Sequence, residues 1–275
     1  HAYGGGLARE AVIAQLRWSS QLLNTTVPSD LRSPLLSGLG YLAHTCGFMA
    51  FDACAHRDAR RLFTYALACA EEAQDWHLRA KVLSSMARQS IWLGRPDDGL
   101  TLAEHALVRA DRLTATERAM LHTARARALS QMRRVGETLT AVGTADENFA
   151  DRRPDADPPW TAYYDQAQHA GDTGHALFDL AMTGRCCEEA RTRLAAAVAG
   201  HTADYVRSRV IAQTKLASLT MVVGDPAEAT AFGAEALRTA SALRSRRVAD
   251  DLRALARYSN RHTTTSEVRE LQRHI

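Results

Sequence analysis

The stretch KVLSSMARQSIWLGRPDDGLTLAEHAL, residues 81–107, decides the fold of this chain. Small and apolar side chains in its first half recur at steps of three and four residues, and so share one helical face: Leu83, Met86, Ala87, Ser90 and Ile91. Gly94 can end that helix in a left-handed conformation, and Pro96 suits the first turn of the next helix. The second helix forms its own face from Leu100, Ala103, Ala106 and Leu107. The stretch therefore predicts an antiparallel helical hairpin.

Small residues repeat this hairpin along the chain. Alanines recur on the second helix of each predicted hairpin at separations of 40, 39, 52 and 39 residues: Ala66, Ala106, Ala145, Ala197 and Ala236. The long unit contains the proline-rich segment at 150–160. Small and large residues at matching positions, such as Ala87 with Gly94 and Ala217 with Gly224, resemble the tetratricopeptide consensus. We predict an all-α, tetratricopeptide-like superhelix of about five to six antiparallel hairpins, forming a single domain over residues 1–275.

The periodicity predicts the helices in chain order. Proline and glycine punctuate them, most strongly in the loop DRRPDADPPW at 151–160, which we expect to interrupt the array without dividing it. The expected helices span 7–24, 34–54, 57–73, 81–93, 96–110, 116–132, 136–149, 162–182, 188–199, 205–223, 226–243, 248–258 and 267–274.

Composition excludes several classes of protein. No run approaches 18 apolar residues, so we expect no membrane span and no membrane partner. Five cysteines without CxxC spacing favour a reducing compartment, and we expect a cytoplasmic protein. The sequence contains no Walker loop, GxSxG or HExxH motif. We therefore expect neither an enzyme nor a bound cofactor or metal.

Five segments carry a family resemblance: Tyr3-Gly4-Gly5-Gly6, CGFMAFDACAHRDARRLFTYALACA at 46–70, the run 75–94, Gly224-Asp225-Pro226-Ala227-Glu228-Ala229 and Leu243-Arg244-Ser245-Arg246-Arg247. In these, the chain resembles the C-terminal domain of actinobacterial regulators that join a Cro/C1-type (XRE) helix-turn-helix to a tetratricopeptide-like domain. The resemblance covers nearly the whole chain. It implies a transcriptional regulator that forms a homodimer and contacts DNA only through an upstream domain absent from this chain.

A more distant resemblance is to the peptide-sensing repeat regulators of Gram-positive quorum systems, which implies a concave face that binds an effector. The first residue is His1 rather than Met, which fits either a tag remnant or a domain cut from a longer chain. We favour the second interpretation.

The first helix of each hairpin would line such a face. Aligning the small positions Gly47, Ala87 and Ala126 points one set of side chains inward. In that set, Lys81, Arg88 and Arg127 could hold a carboxylate or phosphate of a peptide or small-molecule effector. The alternative is that the arginines are solvated or ion-paired and the aromatic residues are core. The candidate ligand-binding residues are Tyr41, His44, Phe48, Asp52, Lys81, Ser84, Arg88, Trp92, Arg127 and Gln131.

Three other groups have plainer interpretations. Trp160, Tyr163 and Tyr164 could form a lid, but we expect them to anchor the long loop. The vicinal pair Cys186-Cys187 is expected to be two small turn residues, because adjacent cysteines form strained disulfides. The arginine-rich segment 238–273 is interleaved with carboxylates, so we expect a solvated face there and not a DNA contact.

The function expected from the sequence is the ligand-sensing and dimerisation domain of a cytoplasmic transcriptional regulator. The alternative is a protein-interaction scaffold whose groove holds a partner peptide or helix.

Overall fold

The computed structural model describes residues 6–241, 243 and 245–275, with side chains from Arg9 onward. Thirteen α-helices and no strand occur among these residues, which confirms the predicted all-α class. Tyr3, Gly4, Gly5 and Arg244, which contribute to the family resemblance, lie outside the described residues. The helices are α1 Gly6–Ser20, α2 Ser29–Asp52, α3 His56–Ala73, α4 Trp76–Trp92, α5 Pro96–Leu107, α6 Ala115–Gln131, α7 Val135–Ala150, α8 Gln166–Ala181, α9 Cys187–Gly200, α10 Val206–Val223, α11 Pro226–Ala240, α12 Arg246–Ser259 and α13 Ser266–His274.

The turn between α4 and α5 forms as predicted. Gly94 is left-handed with φ of +71°, and the next amide, that of Arg95, donates to the carbonyl of Ser90 over 2.9 Å. Pro96 is the first residue of α5. The hairpin therefore closes because glycine accepts a conformation that costs other residues energy and proline needs no donor at a helix start.

Packing divides the described chain into two compact units. The N-terminal unit comprises residues 6–125 and 145–159, and the C-terminal unit comprises 126–144 and 160–275. In the N-terminal unit α2 packs on α3 and α4, and α4 packs on α5. In the C-terminal unit α10 packs on α8, α9, α11 and α12. Within each unit a first helix thus contacts both its hairpin partner and the next first helix. The number of repeats and the single-domain organisation stay predictions.

The recurring alanines lie where the hairpins are tightest. Each is at most 2% exposed and each is on the second helix of its pair: Ala66, Ala106, Ala145, Ala197 and Ala236. Glycines serve the same purpose, at Gly47 on the first helix α2 and at Gly99 on the second helix α5. A methyl group added at Gly47 would lie 2.7 Å from the Phe63 ring, and one at Gly99 would lie 2.6 Å from Ile91. The predicted periodicity of small residues therefore marks the positions where two helices pack closely.

Some helix boundaries differ from those expected. The expected break at 25–33 is too long, because α2 begins at Ser29 and contains Pro34. Proline has no backbone N–H, so α2 lacks one hydrogen-bond donor at this position. Helix α4 begins at Trp76, where the Asp75 carboxylate accepts from the amide of Leu78 over 2.9 Å. Helix α8 begins at Gln166, since Asp165 caps it in the same way and 159–163 forms a 3-10 turn.

Candidate functional site

The first helices of the hairpins carry the polar residues of the interior. All but three of the buried polar or charged side chains in the described chain lie on α2, α4, α6, α8, α10 and α12. Helix α4 illustrates this, with Ser84, Ser85, Gln89 and Ser90 all buried. Buried polar groups need hydrogen-bond partners, so these helices fix specific contacts where the second helices bury mainly small apolar residues.

A cationic and aromatic cluster joins α2 to α4 in the N-terminal unit. The Lys81 ammonium lies 5.1 Å from the centre of the Tyr41 ring, in the range of a cation–π interaction. Both side chains are partly exposed. Burial lowers the pKa of the Lys81 amine to about 8. The structure thus brings two of the predicted ligand-binding residues together at the edge of the interior.

His44 lies close enough to Lys81 to feel its charge and is a core residue. Its side chain is 6% exposed, and its Nε2 atom lies 2.8 Å from the Ser85 hydroxyl. Burial, with a smaller effect from the Lys81 charge, lowers the pKa of His44 to about 3. The imidazole is therefore neutral at physiological pH. Ser84 is also buried, at 5% exposure, so these two predicted ligand-binding residues lie inside the packed interior of the unit.

The remaining predicted residues of this unit lie along the same two helices. Phe48 is partly buried and meets Phe51 edge-to-face, with ring centres 6.1 Å apart. Trp92 packs against the core that α2 and α3 form. Asp52 and Arg88 are partly exposed. Ligand binding by this set stays a prediction.

Arg127 and Gln131 belong to the C-terminal unit, where both act on one carboxylate. The positive charges of Lys215 and Arg127 favour the ionised carboxylate of Asp179, and Gln131 hydrogen-bonds to it. Burial nevertheless raises the pKa of Asp179 above its usual range, because desolvation is the largest of these effects. The charge of Arg127 therefore acts on a carboxylate of the chain itself.

Sequence reasoning missed a second lysine cluster in the C-terminal unit. Lys215 on α10 lies 4.6 Å from the centre of the Phe178 ring and 2.9 Å from the carboxylate of Asp251. Asp251 is buried, at 4% exposure. One signal could have found this cluster: Lys81 and Lys215 are the two lysines among 34 lysines and arginines. Both lie on first helices and both lie over an aromatic ring.

A polar joint connects the starts of α4 and α6. Glu117, fully buried, accepts from the amide of Thr114 over 2.9 Å, and the amide of Glu117 faces the Thr114 hydroxyl at 3.3 Å. This reciprocal pair is a capping box. His77 Nδ1 lies 2.8 Å from the same carboxylate, and that hydrogen bond raises the pKa of His77. The Thr-x-x-Glu spacing is a signal that the sequence offered.

Comparisons with known proteins give a fold and no family. No protein-family model matches the chain, and no curated protein matches it. The chain is similar to the crystal structure of BtubC (BKLC) from P. vanneervenii, with a TM-score of 0.58 and 17% sequence identity over 85% of this chain and 90% of that one. At that identity the similarity shows the fold alone.

The structure also describes the end of the long loop, the vicinal cysteines and the arginine-rich segment. Tyr164 is buried, and its hydroxyl lies 3.2 Å from His169 Nδ1, which ties the end of the long loop to α8. Cys186 and Cys187 are free thiols, and Cys186 adopts a left-handed conformation at the start of α9. In the arginine-rich segment, Arg238 pairs with Glu235 and Arg253 with Asp250.

Neither a metal-ligand cluster nor a membrane-spanning helix occurs among the described residues. No group of three or more metal-ligating side chains occurs in the part of the chain that the structure describes. Among the same residues, no helix combines the length and the apolar character that crossing a bilayer requires.

Proposed function

We propose that this chain is the effector-binding and dimerisation domain of a cytoplasmic transcriptional regulator, and that its effector is a peptide or small molecule with an anionic group. The observation that supports the proposal is the Lys81 ammonium, held over Tyr41 at the partly exposed edge of α2 and α4. A partly desolvated cation attracts an anion more strongly than a solvated one. The aromatic ring beside it offers apolar contact to the rest of a ligand.

Regulation would then be a shift between two packings of the helices. An effector that binds one packing better changes the relative positions of paired DNA-binding domains, which an upstream segment would supply. First helices are suited to this because α2 contacts α4 as well as α3, and α10 contacts α8 and α12 as well as α11. Two copies of the chain are needed for paired DNA-binding domains.

Calorimetric titration of acidic peptides and small carboxylates tests the proposal. We expect binding by the wild type, a loss of roughly tenfold or more in Lys81→Gln because a charged hydrogen bond is removed, and a smaller loss in Arg88→Ala. The matched control is Arg32→Ala, which removes an exposed cation of the same unit that pairs with Glu72 at 2.6 Å. Equal affinity in wild type and Lys81→Gln would refute the proposed anion site.

A protein-interaction scaffold is the second candidate, and exposed apolar residues favour it. Trp18 is 62% exposed, Leu31 is 54% exposed and Leu22 is 39% exposed, all near the start of the N-terminal unit. Large exposed apolar side chains are typical of protein contacts when they cluster. Affinity capture with wild type and with Trp18→Ser/Leu31→Ser separates the candidates. A scaffold loses a retained protein in the double variant, whereas an effector domain retains its small ligand in both.

A further inference from the structure

We infer that the outward side of α12 binds the phosphate backbone of double-stranded DNA, without reading its base sequence. The contact is made by an arginine row along the helix and the 3-10 turn that follows it, in which every side chain is exposed: Arg246, Arg253, Arg257 and Arg261. The choice of DNA over duplex RNA rests on the proposed function, which places this chain beside DNA-binding domains. The row itself lies in the C-terminal unit, apart from the effector site at Lys81 in the N-terminal unit.

Helix geometry places the arginine row on one side of α12. The opposite side is buried, with Val248 and Leu255 in the core that α12 forms with α10 and α11. Arg246, Arg253 and Arg257 are separated by seven and then four residues, which are close to two turns and one turn of an α-helix. These three side chains therefore point the same way, away from the core.

The structure removes one of the carboxylates that the sequence places among these arginines. The sequence predicts a solvated face because Asp250 and Asp251 interrupt the segment. Asp251 points inward, since it is 4% exposed and its carboxylate lies 2.9 Å from the Lys215 ammonium. Of the two, Asp250 stays on the outward side, where it pairs with Arg253 at 2.5 Å. The arginine row is thus more cationic than the sequence indicates.

Three arginines of the row are available to an external anion. In the part of the chain that the structure describes, neither an ion pair nor a side-chain hydrogen bond joins Arg246, Arg257 or Arg261 to another residue. Other exposed arginines do have such partners, as Arg134 has Glu137. Binding a phosphate at these three positions therefore breaks no contact within the chain.

The positive charge of the whole chain is concentrated in the same region. Residues 245–275 contain seven arginines and four side-chain carboxylates, and their net charge of +3 equals that of the whole chain. The rest of the chain therefore carries as many carboxylates as cations. A local excess of positive charge attracts a polyanion to this end of the C-terminal unit.

The chemistry of the outward side favours a duplex backbone over other polyanions. Protein interfaces and membrane-surface helices use exposed aromatic or large aliphatic anchors, and none of the exposed large apolar side chains of the described chain lies in 245–275. Single-stranded nucleic acid is bound by stacking on aromatic rings, but Tyr258 of α12 packs against the core. Guanidinium groups bind phosphate bidentately.

The length of the arginine row also suits a duplex. At a rise of 1.5 Å per residue, Arg246 and Arg261 are about 22 Å apart. Over that distance one strand of a DNA duplex carries about six phosphates. The four arginines can therefore follow a single strand, and such contacts position a protein on DNA without reading bases.

Fluorescence anisotropy of a labelled DNA duplex of mixed sequence, titrated with the intact chain between about 20 and 200 mM salt, tests the inference. We expect the logarithm of the association constant to fall with the logarithm of salt concentration at a slope of roughly −3, from three to four phosphate contacts. In Arg246→Gln/Arg257→Gln/Arg261→Gln, affinity at about 20 mM salt should fall roughly tenfold or more, and the slope should lie between about 0 and −1. Absence of salt-dependent binding by the wild type would overturn the inference.

The matched control is Arg57→Gln/Arg60→Gln/Arg61→Gln on α3. These arginines are also exposed and have no ion-pair partner among the described residues, so the net charge falls by the same amount. This control should retain the wild-type slope. Equal losses in the two triple variants would overturn the inference, since binding would then follow net charge alone.

Asp250→Asn provides a gain of function. It releases Arg253 from its ion pair and removes the carboxylate on the outward side, so we expect roughly threefold tighter binding of the duplex at about 20 mM salt. Unchanged or weaker binding would contradict the placement of the duplex along the arginine row.

Other polyanions test the choice of partner. At equal concentration of negative charge, duplex RNA, polyglutamate and vesicles containing phosphatidylserine should each bind more weakly than the DNA duplex. Tighter binding of any of them would overturn the assignment to DNA. Lys81→Gln should bind the duplex as the wild type does, so the proposed effector site and the DNA contact can fail separately.

Discussion

Gly47 sets the distance between α2 and α3. A methyl group at this position would lie 2.7 Å from the Phe63 ring, which is fully buried and cannot move aside. We expect Gly47→Ala to lower the free energy of unfolding by about 1–3 kcal/mol through overpacking. The matched control is Gly38→Ala in the same helix, where the added methyl meets nothing within 4 Å.

Urea denaturation of both variants checks this prediction. Gly38→Ala should raise the free energy of unfolding by about 0.5–1 kcal/mol, because alanine loses less backbone entropy in a helix than glycine does. If both substitutions stabilised the chain, α2 and α3 would not be in the close contact described.

His44 makes the stability of the chain fall at acidic pH. Its pKa is lowered to about 3 by burial, so the unfolded chain binds this proton near pH 6.5 and the folded chain does not. Stability is therefore lost as the pH falls below about 6.5. At pH 4.5 the loss from this group should reach about 2–3 kcal/mol, from two pH units at 1.36 kcal/mol each.

The pH dependence of urea unfolding in His44→Gln tests this. Relative to wild type, the variant should gain about 2–3 kcal/mol between pH 8 and pH 4.5. Ser85→Ala is the control, since it removes the hydrogen bond of 2.8 Å and leaves the imidazole buried. That control should retain the wild-type slope, and a His44→Gln slope equal to wild type would contradict the prediction.

The pKa of His77 is raised, so its effect on the pH dependence of stability is opposite to that of His44. Its hydrogen bond to Glu117 raises its pKa, so its contribution to stability is complete below pH 6.5 and is lost as the pH rises through the raised value. The His77 side chain is 43% exposed, which limits the contribution to below about 1 kcal/mol. We expect His77→Gln to destabilise the chain more at pH 5.5 than at pH 9, as measured by chemical denaturation. Equal destabilisation at the two pH values would show that the imidazolium adds nothing.

The positions of single residues were predictable from the sequence where the same residue type recurs in each hairpin. The alanines at 66, 106, 145, 197 and 236 could be placed because each repeats the same helix crossing. The contacts of Asp179 and Lys215 could not, because they join first helices of different hairpins. Which side chains meet between two first helices depends on the rotation of each helix about its axis, and hydrophobic periodicity does not determine that rotation.

The turns between helices show that glycine is not required for a left-handed residue. Gly94 has φ of +71°, while Cys54, Gln74 and Arg133 adopt φ of +58°, +55° and +60° at equivalent helix ends. A side chain in this conformation costs about 1–2 kcal/mol. The non-glycine positions are therefore sites where the chain can be stabilised.

Reciprocal substitutions at two turns test this at the scale of the element. We expect Arg133→Gly to raise the free energy of unfolding by about 0.5–1 kcal/mol and Gly94→Ala to lower it by about 1 kcal/mol. Gly136→Ala is a control near the first site, since a methyl there meets nothing within 4 Å and glycine has no left-handed conformation to preserve. Thermal unfolding of the three variants gives the comparison. Changes of the same sign at Arg133 and Gly94 would contradict it.

Helix identity was more predictable than helix ends. All thirteen expected helices exist, because hydrophobic periodicity persists over several turns. The ends depend on single contacts, such as the Asp75 and Asp165 caps, and on exceptions such as Pro34 inside α2. Gly224 is a further difference: Pro226 starts α11 as expected, but Gly224 has φ of −127° and not the left-handed value of Gly94.

At the scale of the whole molecule, two helices supply residues to both compact units. Residues 115–125 of α6 belong to the N-terminal unit and 126–131 to the C-terminal unit, and α7 divides in the same way after Thr144. Unfolding one unit would break helices that the other requires. We therefore expect one cooperative unfolding transition.

Tryptophan fluorescence checks this unit by unit. Trp18, Trp76 and Trp92 report the N-terminal unit and Trp160 reports the C-terminal unit. In Trp160→Phe and in the triple Phe variant that retains Trp160, the fluorescence midpoint in urea should coincide with the midpoint of helix loss by circular dichroism in the same variant. Separate midpoints would show that the units unfold independently.

The class of the whole molecule was predictable, and its function was predictable only as a proposal. Repetition of one hairpin specifies an all-α array, because each hairpin of a repeat protein buries its apolar face against the next hairpin. No comparable pattern specifies an effector, since a binding site is used once and the sequence shows no repeat of it.

The scarcity of lysine has a practical consequence for binding measurements. Reagents that immobilise proteins on sensor chips or crosslink them through side-chain amines can reach this chain only at Lys81 and Lys215, both on first helices. Attachment at Lys81 would occupy the very group assigned to the ligand. Tethering through an engineered cysteine on an exposed second helix, for example at Arg238, which is 73% exposed, keeps that surface open to analytes.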